Sequence, residues 1–310
     1  MHLVRTPAHF PFDMVRDGSI ATIGAYDGLH LGHRKLLQFL HEASVATGLP
    51  KVVMSFEPMP REYFSAATPP ARLMRFREKF DALSDAGIDI FFCPRFGPEM
   101  RSIDASAFIR RMLIHAMNVR ELIVGDDFRF AANREGTIDH LRRAGKALGF
   151  GVHQVDSVVV QGERVSSTGI RAALTRGDLA QAQLLLGHPY SMSGKVIRGE
   201  QVGRRLGFPT ANVNLNRRQS AVLGIFAARV RGLGDKALDA VASVGTRPTF
   251  DGTKPILEVH IFDFDDDIYG RYIQVDFIER LRDERRFESA DALVEQMHHD
   301  SRQAREILSA

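Results

Sequence analysis

The chain has 310 residues, of which 44% are hydrophobic and 25% are charged. This length favours two domains, each able to bury its own core. The 41 Lys and Arg residues exceed the 38 Asp and Glu residues by only three, a balance that is not the signature of a nucleic-acid-binding protein. Cys93 is the single cysteine, which excludes an internal disulfide and fits a reducing compartment.

The sequence predicts neither a secretory signal peptide nor a membrane span. The N-terminal segment MHLVRTPAHFPFDM does not contain the uninterrupted apolar core of a signal peptide. No apolar run approaches the ~20 residues that span a bilayer. We therefore expect a cytoplasmic, unprocessed protein with no membrane or nucleic-acid partner, while its oligomeric state stays open.

Residues 19–186 alternate short β-branched runs with amphipathic stretches, as expected of βαβ units on a parallel sheet. The predicted strands are 19–23, 51–56, 88–94, 121–124 and 151–155, and the predicted helices are 35–47, 73–86, 105–117 and 137–148. This pattern predicts a doubly wound, Rossmann-like α/β domain over residues 1–187. Because ligands of such sheets bind beyond the carboxyl ends of strands, the loops after Ile23 and Val124 are candidate binding loops.

The pattern changes at residues 187–189, after which strands follow one another with Gly, Pro and Asn turns. The predicted strands are 190–198, 211–214, 225–230, 240–244, 256–262 and 272–277, and a last helix is predicted over 289–308. Residues 188–310 are therefore expected to form an all-β domain, a six-stranded antiparallel barrel with a terminal helix.

The segment TIGAYDGLHLGH, residues 22–33, leaves a predicted strand and enters a helix whose first turn is expected to hold His30, Gly32 and His33. Residues three apart share a helix face, so both imidazoles can point at one anion at the positive helix terminus. Gly32 leaves room for a phosphate to approach the backbone. Two isolated histidines more often only solvate a helix surface, but the preceding strand and glycines favour a phosphate site.

This segment carries a family resemblance. HLGH resembles the HxGH signature of the nucleotidyltransferase superfamily, and GAYDGLHLGH resembles the opening motif of prokaryotic FAD synthetases. The resemblance implies that His30 and His33 are catalytic. It also implies nucleotide or phosphate contacts for a further set of residues, which are Gly24, Asp27, Gly28 and Gly32.

A second segment, VSSTGIRA at residues 165–172, places hydroxyls at a predicted helix start. Simple N-capping explains such hydroxyls equally well. The segment also resembles the SSTxIR motif of the superfamily, which holds the outgoing β and γ phosphates. The resemblance assigns that role to Ser166, Ser167, Thr168 and Arg171.

A third segment, VGDDFRFAANREG at residues 124–136, resembles the family's flavin and nucleotide loop, in which Asp127, Phe128 and Arg129 occupy the functional positions. A plain surface loop is the alternative. Ala25 and Ala131 stand where many relatives have Asn and Gly, and Met59 stands in SFEPMP where His is common. These departures leave open the alternative that the protein keeps the kinase activity but has a weakened or redirected adenylyltransferase activity.

The glycine-punctuated segment GKVIRGEQVGRRLGFPTANVN, residues 194–214, has no Walker A sequence. Its glycines let backbone N–H groups approach phosphates, whereas Thr210 and Asn212 lie on one side of an extended segment and offer oxygens to Mg²⁺. A plain turn is the alternative. GRRLGFPTAN resembles the riboflavin kinase signature, which implies nucleotide or flavin contacts for Gly194, Gly199, Gly203, Gly207, Pro209, Thr210 and Asn212, with Thr210 and Asn212 as metal ligands.

Two more segments complete the predicted kinase site. LEVHIFDFDDDIYGR resembles the kinase segment whose Glu is the base for the riboflavin 5′-hydroxyl, so Glu258 is the predicted base, although alternation also describes any half-exposed strand. FIERLRDERRF places Arg282 where relatives carry an Arg near the flavin and nucleotide.

Together these motifs resemble the prokaryotic bifunctional riboflavin kinase / FAD synthetase (FMN adenylyltransferase) family over almost the whole chain. The resemblance implies that ATP phosphorylates riboflavin to FMN and ADP, and that a second ATP gives its AMP to FMN to form FAD and pyrophosphate, with Mg²⁺ as cofactor. The alternative from a different functional class is a flavin-binding regulator without catalytic turnover. It predicts loss of the phosphate-handling groups, and these are present.

Overall fold

The computed structural model describes residues 1–199, 202–249 and 252–309, and the chain divides into two compact units. The first unit contains Met1–Pro70 and Met74–Val165, and the second contains Ala71–Leu73 and the chain from Ser166 onward. The domain boundary between residues 187 and 188 stays a prediction. None of the described helices combines the length and the apolar character needed to cross a bilayer.

A six-stranded, all-parallel sheet forms the centre of the first unit. Its strands are β1 His2–Val4, β2 Ser19–Ile23, β3 Lys51–Met54, β4 Ile90–Phe92, β5 Val119–Gly125 and β6 Gly151–Val155. The sequence predicted all of these except β1, which is too short to show a pattern. A two-stranded ribbon follows, with β7 at Val159–Val160 and β8 at Glu163–Arg164.

Helices cover both faces of this sheet. They are α1 Leu31–Thr47, α2 Pro60–Phe64, α3 Phe76–Asp85, α4 Pro98–Ser102, α5 Ala105–Phe108 and α6 Ile138–Leu148. Helix α5 continues as a π-helical segment, Ile109–Ala116. Strand β2 is buried throughout because Ala21 and Ile23 enter one apolar core and Ile20 enters the other. The doubly wound prediction is confirmed.

The strand order β1-β4-β3-β2-β5-β6 reverses direction at the neighbouring strands β2 and β5. Chains that leave such a pair at their carboxyl ends diverge to opposite faces of the sheet and open a crevice between them. The two candidate binding loops follow β2 and β5, so the sheet brings them to this crevice.

A closed, antiparallel, six-stranded barrel forms the centre of the second unit, as predicted. Its strands are β9 Ser191–Ile197, β10 Ala211–Asn214, β11 Gly224–Arg231, β12 Leu238–Thr249, β13 Gly252–Ile261 and β14 Tyr272–Arg282. The helices of this unit are α7 Ser167–Thr175, α8 Leu179–Leu186, α9 Val202–Arg205 and the C-terminal α10 Ala290–Ser309. Helix α10 packs against β11, β12 and β14.

Candidate active sites

The HLGH segment lies where β2 gives way to α1. His30 is the N-cap of α1, with an extended backbone at φ −63° and ψ 172°, and its Nδ1 accepts a hydrogen bond of 3.3 Å from the His33 N–H. The prediction that His30 lies in the first helical turn is therefore wrong by one residue. An imidazole nitrogen here does the capping that a Ser, Thr, Asp or Asn oxygen usually does.

The His33 ring stacks on the His30 ring, with 3.7 Å between centroids and 18° between planes. Burial lowers the pKa of His33 well below its usual value, and its electrostatic interactions with His30 and Lys79 lower it further. His33 Nδ1 is buried and has no hydrogen-bond partner within the described part of the chain. The ring is therefore neutral at physiological pH and retains hydrogen-bonding capacity for a ligand.

The turn before the histidines is built on buried polar contacts. Asp27 is fully buried, and its Oδ1 accepts a hydrogen bond of 2.8 Å from the Met74 N–H. Gly28 has φ 94°, a conformation that favours glycine. A Cβ on Gly32 would lie 3.2 Å from the His30 ring. The capping side chain of His30 therefore leaves little space at Gly32. The phosphate contacts predicted for this segment, at Gly24, Asp27, Gly28 and Gly32, stay predictions.

Lys79 on α3 is a buried lysine that the sequence analysis missed. It is 3% exposed, and its ammonium donates to the Ala25 carbonyl and lies 3.4 Å from Ser55 Oγ. The Ala25 contact is made by the main chain, so the replacement of Asn by Ala does not remove it. Helical periodicity indicates only which face a residue lies on, and a lone Lys in an amphipathic helix gives no sign that it is buried.

The loop after β5 holds the predicted Asp127, Phe128 and Arg129. Asp127 Oδ2 lies 2.8 Å from Arg164 Nη2 on β8, and Phe128 stacks on Phe130 with centroids 5.8 Å apart. Arg129 donates a 3.0 Å hydrogen bond to the Phe128 carbonyl. These contacts order the loop, and the flavin and nucleotide roles of its residues stay predictions.

Two further features constrain this loop. Burial alone would raise the pKa of Asp126, but hydrogen bonds from Ser157 and the charge of Arg164 outweigh it and lower that pKa. Ala131 has φ 65° and ψ −176°, a region occupied almost only by glycine. The departure from Gly at this position therefore puts backbone strain into the loop.

The SSTGIR segment lies in the second unit, at the start of α7. Ser166 is its N-cap, and Ser166 Oγ accepts a 3.1 Å hydrogen bond from the Gly169 N–H. The capping interpretation is thus correct for Ser166. Arg171 donates from Nε to the Ala71 carbonyl at 2.6 Å and from Nη1 to the Ser167 carbonyl at 3.1 Å. The phosphate roles of Ser166, Ser167, Thr168 and Arg171 stay predictions.

A cavity of about 360 Å³ in the second unit is lined by part of the predicted kinase set. Thr210, Asn212, Glu258 and Arg282 all line it, although they come from three different strands and the segment before β10. Asn212 on β10 pairs in register with Glu258 on β13. The volume lies within the range of small-molecule sites, about 300 to 1,000 Å³.

Three glycines of the predicted motif are explained by close approach to other protein groups. A Cβ on Gly199 would lie 2.4 Å from Asn212 Nδ2, and one on Gly203 would lie 2.4 Å from the Phe208 carbonyl oxygen and 3.2 Å from Thr210 Oγ1. A Cβ on Gly194 would lie 2.4 Å from the Asn214 carbonyl oxygen on the neighbouring strand β10. Gly199 and Gly203 thus admit the two predicted metal ligands.

The remaining glycine of that set, Gly207, has φ 84° in the turn after α9, and a Cβ on it would have no atom of the described residues within 4 Å. Its backbone conformation is the reason for glycine here. Glu200 and Gln201 of the same segment lie outside the described residues. Backbone contacts from any of these glycines to phosphates stay predictions.

Arg282 is held at the cavity by a buried carboxylate that the sequence analysis missed. Asp300 on α10 accepts from Arg282 Nε at 3.0 Å and from Nη2 at 2.7 Å, and it is 3% exposed. The signal for Asp300 was present, because it continues the buried stripe of Ala304 and Leu308 on α10 at a spacing of four. A charged residue on an apolar stripe indicates a buried partner.

A second missed carboxylate, Glu284, follows β14. Burial raises the pKa of Glu284, the nearby charge of Glu258 raises it further, and Arg282 lowers it. Its carboxylate also occupies the space beside Gly245 Cα, where a Cβ would require the carboxylate to move. The predicted base therefore has a second carboxyl group in its electrostatic neighbourhood.

Comparison with known proteins matches two family models to two successive parts of the chain. Residues 13–169 match the family model for FAD synthetase, and residues 186–308 match that for riboflavin kinase. A bifunctional riboflavin kinase/FMN adenylyltransferase from Escherichia coli (strain K12) is 46% identical over 292 residues, which cover 94% of this chain and 93% of the relative. This chain belongs to the bifunctional riboflavin kinase/FMN adenylyltransferase family.

Other relatives agree over similar lengths. A family member from Haemophilus influenzae is 40% identical over 296 residues, with 96% of both chains covered. A crystal structure described as a macrolide-efflux protein from Streptococcus pneumoniae has a TM-score of 0.82 and 30% identity, with 98% of both chains covered. Neither family model names an efflux activity, and that likeness concerns the fold. The predicted family and its two transferase activities are confirmed.

Proposed function

We propose that the family's two activities use the two sites described above, with phosphorylation of riboflavin in the barrel cavity and adenylyl transfer to FMN at the start of α1. The observation that carries the kinase assignment is the convergence of Thr210, Asn212, Glu258 and Arg282 on one cavity. The sequence assigned these residues to one site from three separate segments, and the barrel brings them together.

In the kinase reaction, the riboflavin 5′-hydroxyl oxygen attacks the γ-phosphorus of ATP. Glu258 takes the hydroxyl proton, the bond from the γ-phosphorus to the bridging oxygen breaks, and ADP leaves with FMN as product. The Arg282 guanidinium, oriented by Asp300, adds positive charge to the cavity. Such charge stabilises the transferring phosphoryl group.

The donor atoms of Thr210 and Asn212 fit Mg²⁺, because a hydroxyl and an amide supply the hard oxygens that this ion prefers. Gly199 and Gly203 leave the space that these two side chains occupy. Thr210 and Asn212 would hold the ion, which compensates phosphate charge when it is bound.

In the adenylyltransferase reaction, an FMN phosphate oxygen attacks the α-phosphorus of ATP and pyrophosphate leaves. Neutral His33 supplies a hydrogen bond to a phosphate oxygen, and His30 caps the helix terminus, whose positive dipole end favours an anion. The resemblance adds Arg171 and the hydroxyls of α7 for the outgoing pyrophosphate. It also adds the loop of Asp127, Phe128 and Arg129 for the flavin and nucleotide.

The proposal includes a cytoplasmic location with no nucleic-acid or membrane partner. Riboflavin, FMN, FAD and ATP are the small molecules that fit the two activities of the family. ADP and pyrophosphate follow as leaving products from the two balanced reactions.

Chromatography of flavins tests the division of labour. Purified protein with riboflavin, ATP and Mg²⁺ is expected to form FMN first and FAD afterwards. Glu258→Gln is expected to block FMN formation and to leave FAD formation from supplied FMN, whereas His30→Ala with His33→Ala is expected to do the reverse. Glu279→Gln, an exposed glutamate on β14, is the matched control and is expected to keep both activities.

The outcomes separate the alternatives. Accumulation of FMN without FAD would support a weakened adenylyltransferase, and no product at all would support a flavin-binding regulator. Equal loss of both activities in either folded variant would contradict the two-site proposal.

A further inference from the structure

The two predicted metal ligands of the kinase site are anchored differently. Asn212 lies within strand β10, where it pairs with Glu258 on one side and Ile197 on the other. Thr210 lies before the first residue of β10, Ala211, and so lies outside the paired strand. Pro209 before it has no N–H to donate. The sheet therefore fixes Asn212, and something else must fix Thr210.

His260 supplies a contact at this point. Its Nδ1 lies 2.9 Å from the Pro209 carbonyl oxygen, next to Thr210 in the chain. Since a carbonyl can only accept, Nδ1 carries the hydrogen of this bond. His260 and Glu258 lie two apart on β13 and both line the kinase cavity. One strand thus carries both the predicted base and this contact.

Ring contacts at Phe208, the residue before Pro209, hold the same segment. The Phe208 ring meets the His260 ring edge-on at 5.3 Å between centroids. Phe208 also meets the His298 ring of α10 edge-on at 4.8 Å. The segment before Thr210 is therefore fixed by a hydrogen bond at Pro209 and by ring contacts at Phe208, and His260 makes both kinds of contact.

We propose that His260 is a positioning residue of the riboflavin kinase reaction, which holds the Pro209 carbonyl and thereby sets the position of the Thr210 hydroxyl. The inference rests on the proposed role of Thr210 in that site. His260 does not need to touch substrate for this role. A displacement of about 1 Å in a catalytic group is enough to lower a rate by a large factor.

Two variants separate the hydrogen bond from the ring. His260→Phe keeps a ring against Phe208 and removes the donor, whereas His260→Asn keeps a donor near the Nδ1 position and removes the ring. We expect His260→Phe to lower kcat/KM for MgATP by about ten-fold or more, with the KM for riboflavin unchanged. We expect His260→Asn to recover much of this loss. His299→Phe, at an exposed position on α10, is the control and is expected to match the unsubstituted protein.

A double-mutant cycle tests whether His260 acts through Thr210. In a Thr210→Ala background, His260→Phe is expected to cause little further loss. Thermal denaturation sets a working temperature at which every variant is folded, and FAD formation from supplied FMN serves as an internal control of the other reaction. If His260→Phe lowers the folded fraction, kcat/KM for MgATP is compared between His260→Asn and Thr210→Ala instead. His260→Asn, which keeps a hydrogen-bond donor, is then expected to lose less than Thr210→Ala, and an equal loss would contradict the proposal.

Three results would overturn the proposal. They are an unchanged kcat/KM for MgATP in folded His260→Phe, fully additive losses in the cycle, and an equal loss in His260→Asn and His260→Phe. Full activity of Thr210→Ala would instead remove the proposed role of Thr210, and the role of His260 would fail with it.

Discussion

The Nδ1 atom of His30 accepts a hydrogen bond from the main-chain N–H of His33, while the rings of the two residues stack at 3.7 Å between centroids. His30 is thereby both the N-cap of α1 and a residue that lines the candidate phosphate site. Its structural and functional contributions can be separated, because other side chains can cap a helix without providing an imidazole.

The first prediction uses that separation. His30→Ala removes both cap and imidazole, and it is expected to lower the free energy of unfolding by about 1 kcal/mol and to abolish FAD formation. His30→Asn restores a capping oxygen and is expected to recover stability but not FAD formation. Chemical denaturation and FAD formation from supplied FMN measure the two effects. Full FAD synthesis by His30→Asn would show that the imidazole is dispensable.

The second prediction concerns pH. Burial, with the electrostatic effects of His30 and Lys79, holds the pKa of His33 well below that of an unfolded histidine, which is about 6.5. Below pH of about 6.5 the unfolded chain binds a proton that the folded chain does not, so the free energy of unfolding falls as pH falls, by at most about 1.4 kcal/mol per pH unit. Above that pH the group costs no stability.

Denaturation midpoints at about pH 7.5 and about pH 5.5 measure this slope. His33→Gln cannot titrate and is expected to show a smaller fall in stability between the two values. His2 is an exposed histidine on β1, and His2→Gln is the control variant. Its stability is expected to change with pH as in the unsubstituted protein. An equal slope in His33→Gln would mean that His33 is not the source of the pH dependence.

Sequence patterns predicted the elements well because alternation and helical period report which face of an element is buried. Strands β2 and β6 begin and end at their predicted residues. Patterns do not report partners, which is why the carboxylate of Asp300 and the ammonium of Lys79 were missed. The capping role of His30 was missed for another reason, since histidine is not among the residues that usually cap helices.

The kinase site was more accessible to sequence reasoning than the adenylyltransferase site. Thr210 and Asn212 lie close in the chain, and the sheet register brings Glu258 to Asn212 directly. Gly199 and Gly203 were predicted as phosphate contacts, and their close neighbours prove to be Asn212 and Phe208. A glycine in a sequence indicates that something approaches its backbone, but not which group does so.

The third prediction tests the strain at Ala131, whose φ of 65° and ψ of −176° lie in a region essentially restricted to glycine. Ala131→Gly is expected to raise the free energy of unfolding by about 1 kcal/mol, because relief of strain exceeds the added entropy of the unfolded chain. Ala132→Gly, at the next residue, is the control and is expected to be neutral or destabilising. Denaturation by urea measures both, and a destabilised Ala131→Gly would show that no strain is stored there.

The fourth prediction concerns the kinase glycines. Gly199→Ala would place a Cβ 2.4 Å from Asn212 Nδ2, so the amide must shift and kinase activity is expected to fall by about ten-fold or more. Gly234→Ala, where a Cβ would have no atom of the described chain within 4 Å, is the matched control in the same unit. Initial rates of FMN formation measure the effect. Similar rates for the two variants would contradict the requirement for close approach at Gly199.

The fifth prediction concerns the carboxylate that orients Arg282. Asp300→Asn keeps the shape of the side chain but leaves the guanidinium facing an amide, and it is expected to lower the free energy of unfolding by about 3 kcal/mol. This is the lower end of the usual range because Arg282 remains 19% exposed. Kinase activity is expected to fall as well, while FAD formation from supplied FMN is expected to persist.

The pair of Arg305 and Asp263 offers a matched control, since it is also a two-bond Arg and Asp contact made by α10. Both of its side chains are mostly exposed, so water screens the interaction and Asp263→Asn is expected to change stability little. Denaturation and initial rates of FMN formation, measured on both variants, separate burial from the mere presence of an ion pair. An Asp300→Asn variant as stable and active as Asp263→Asn would show that Arg282 keeps its position at the cavity without its carboxylate partner.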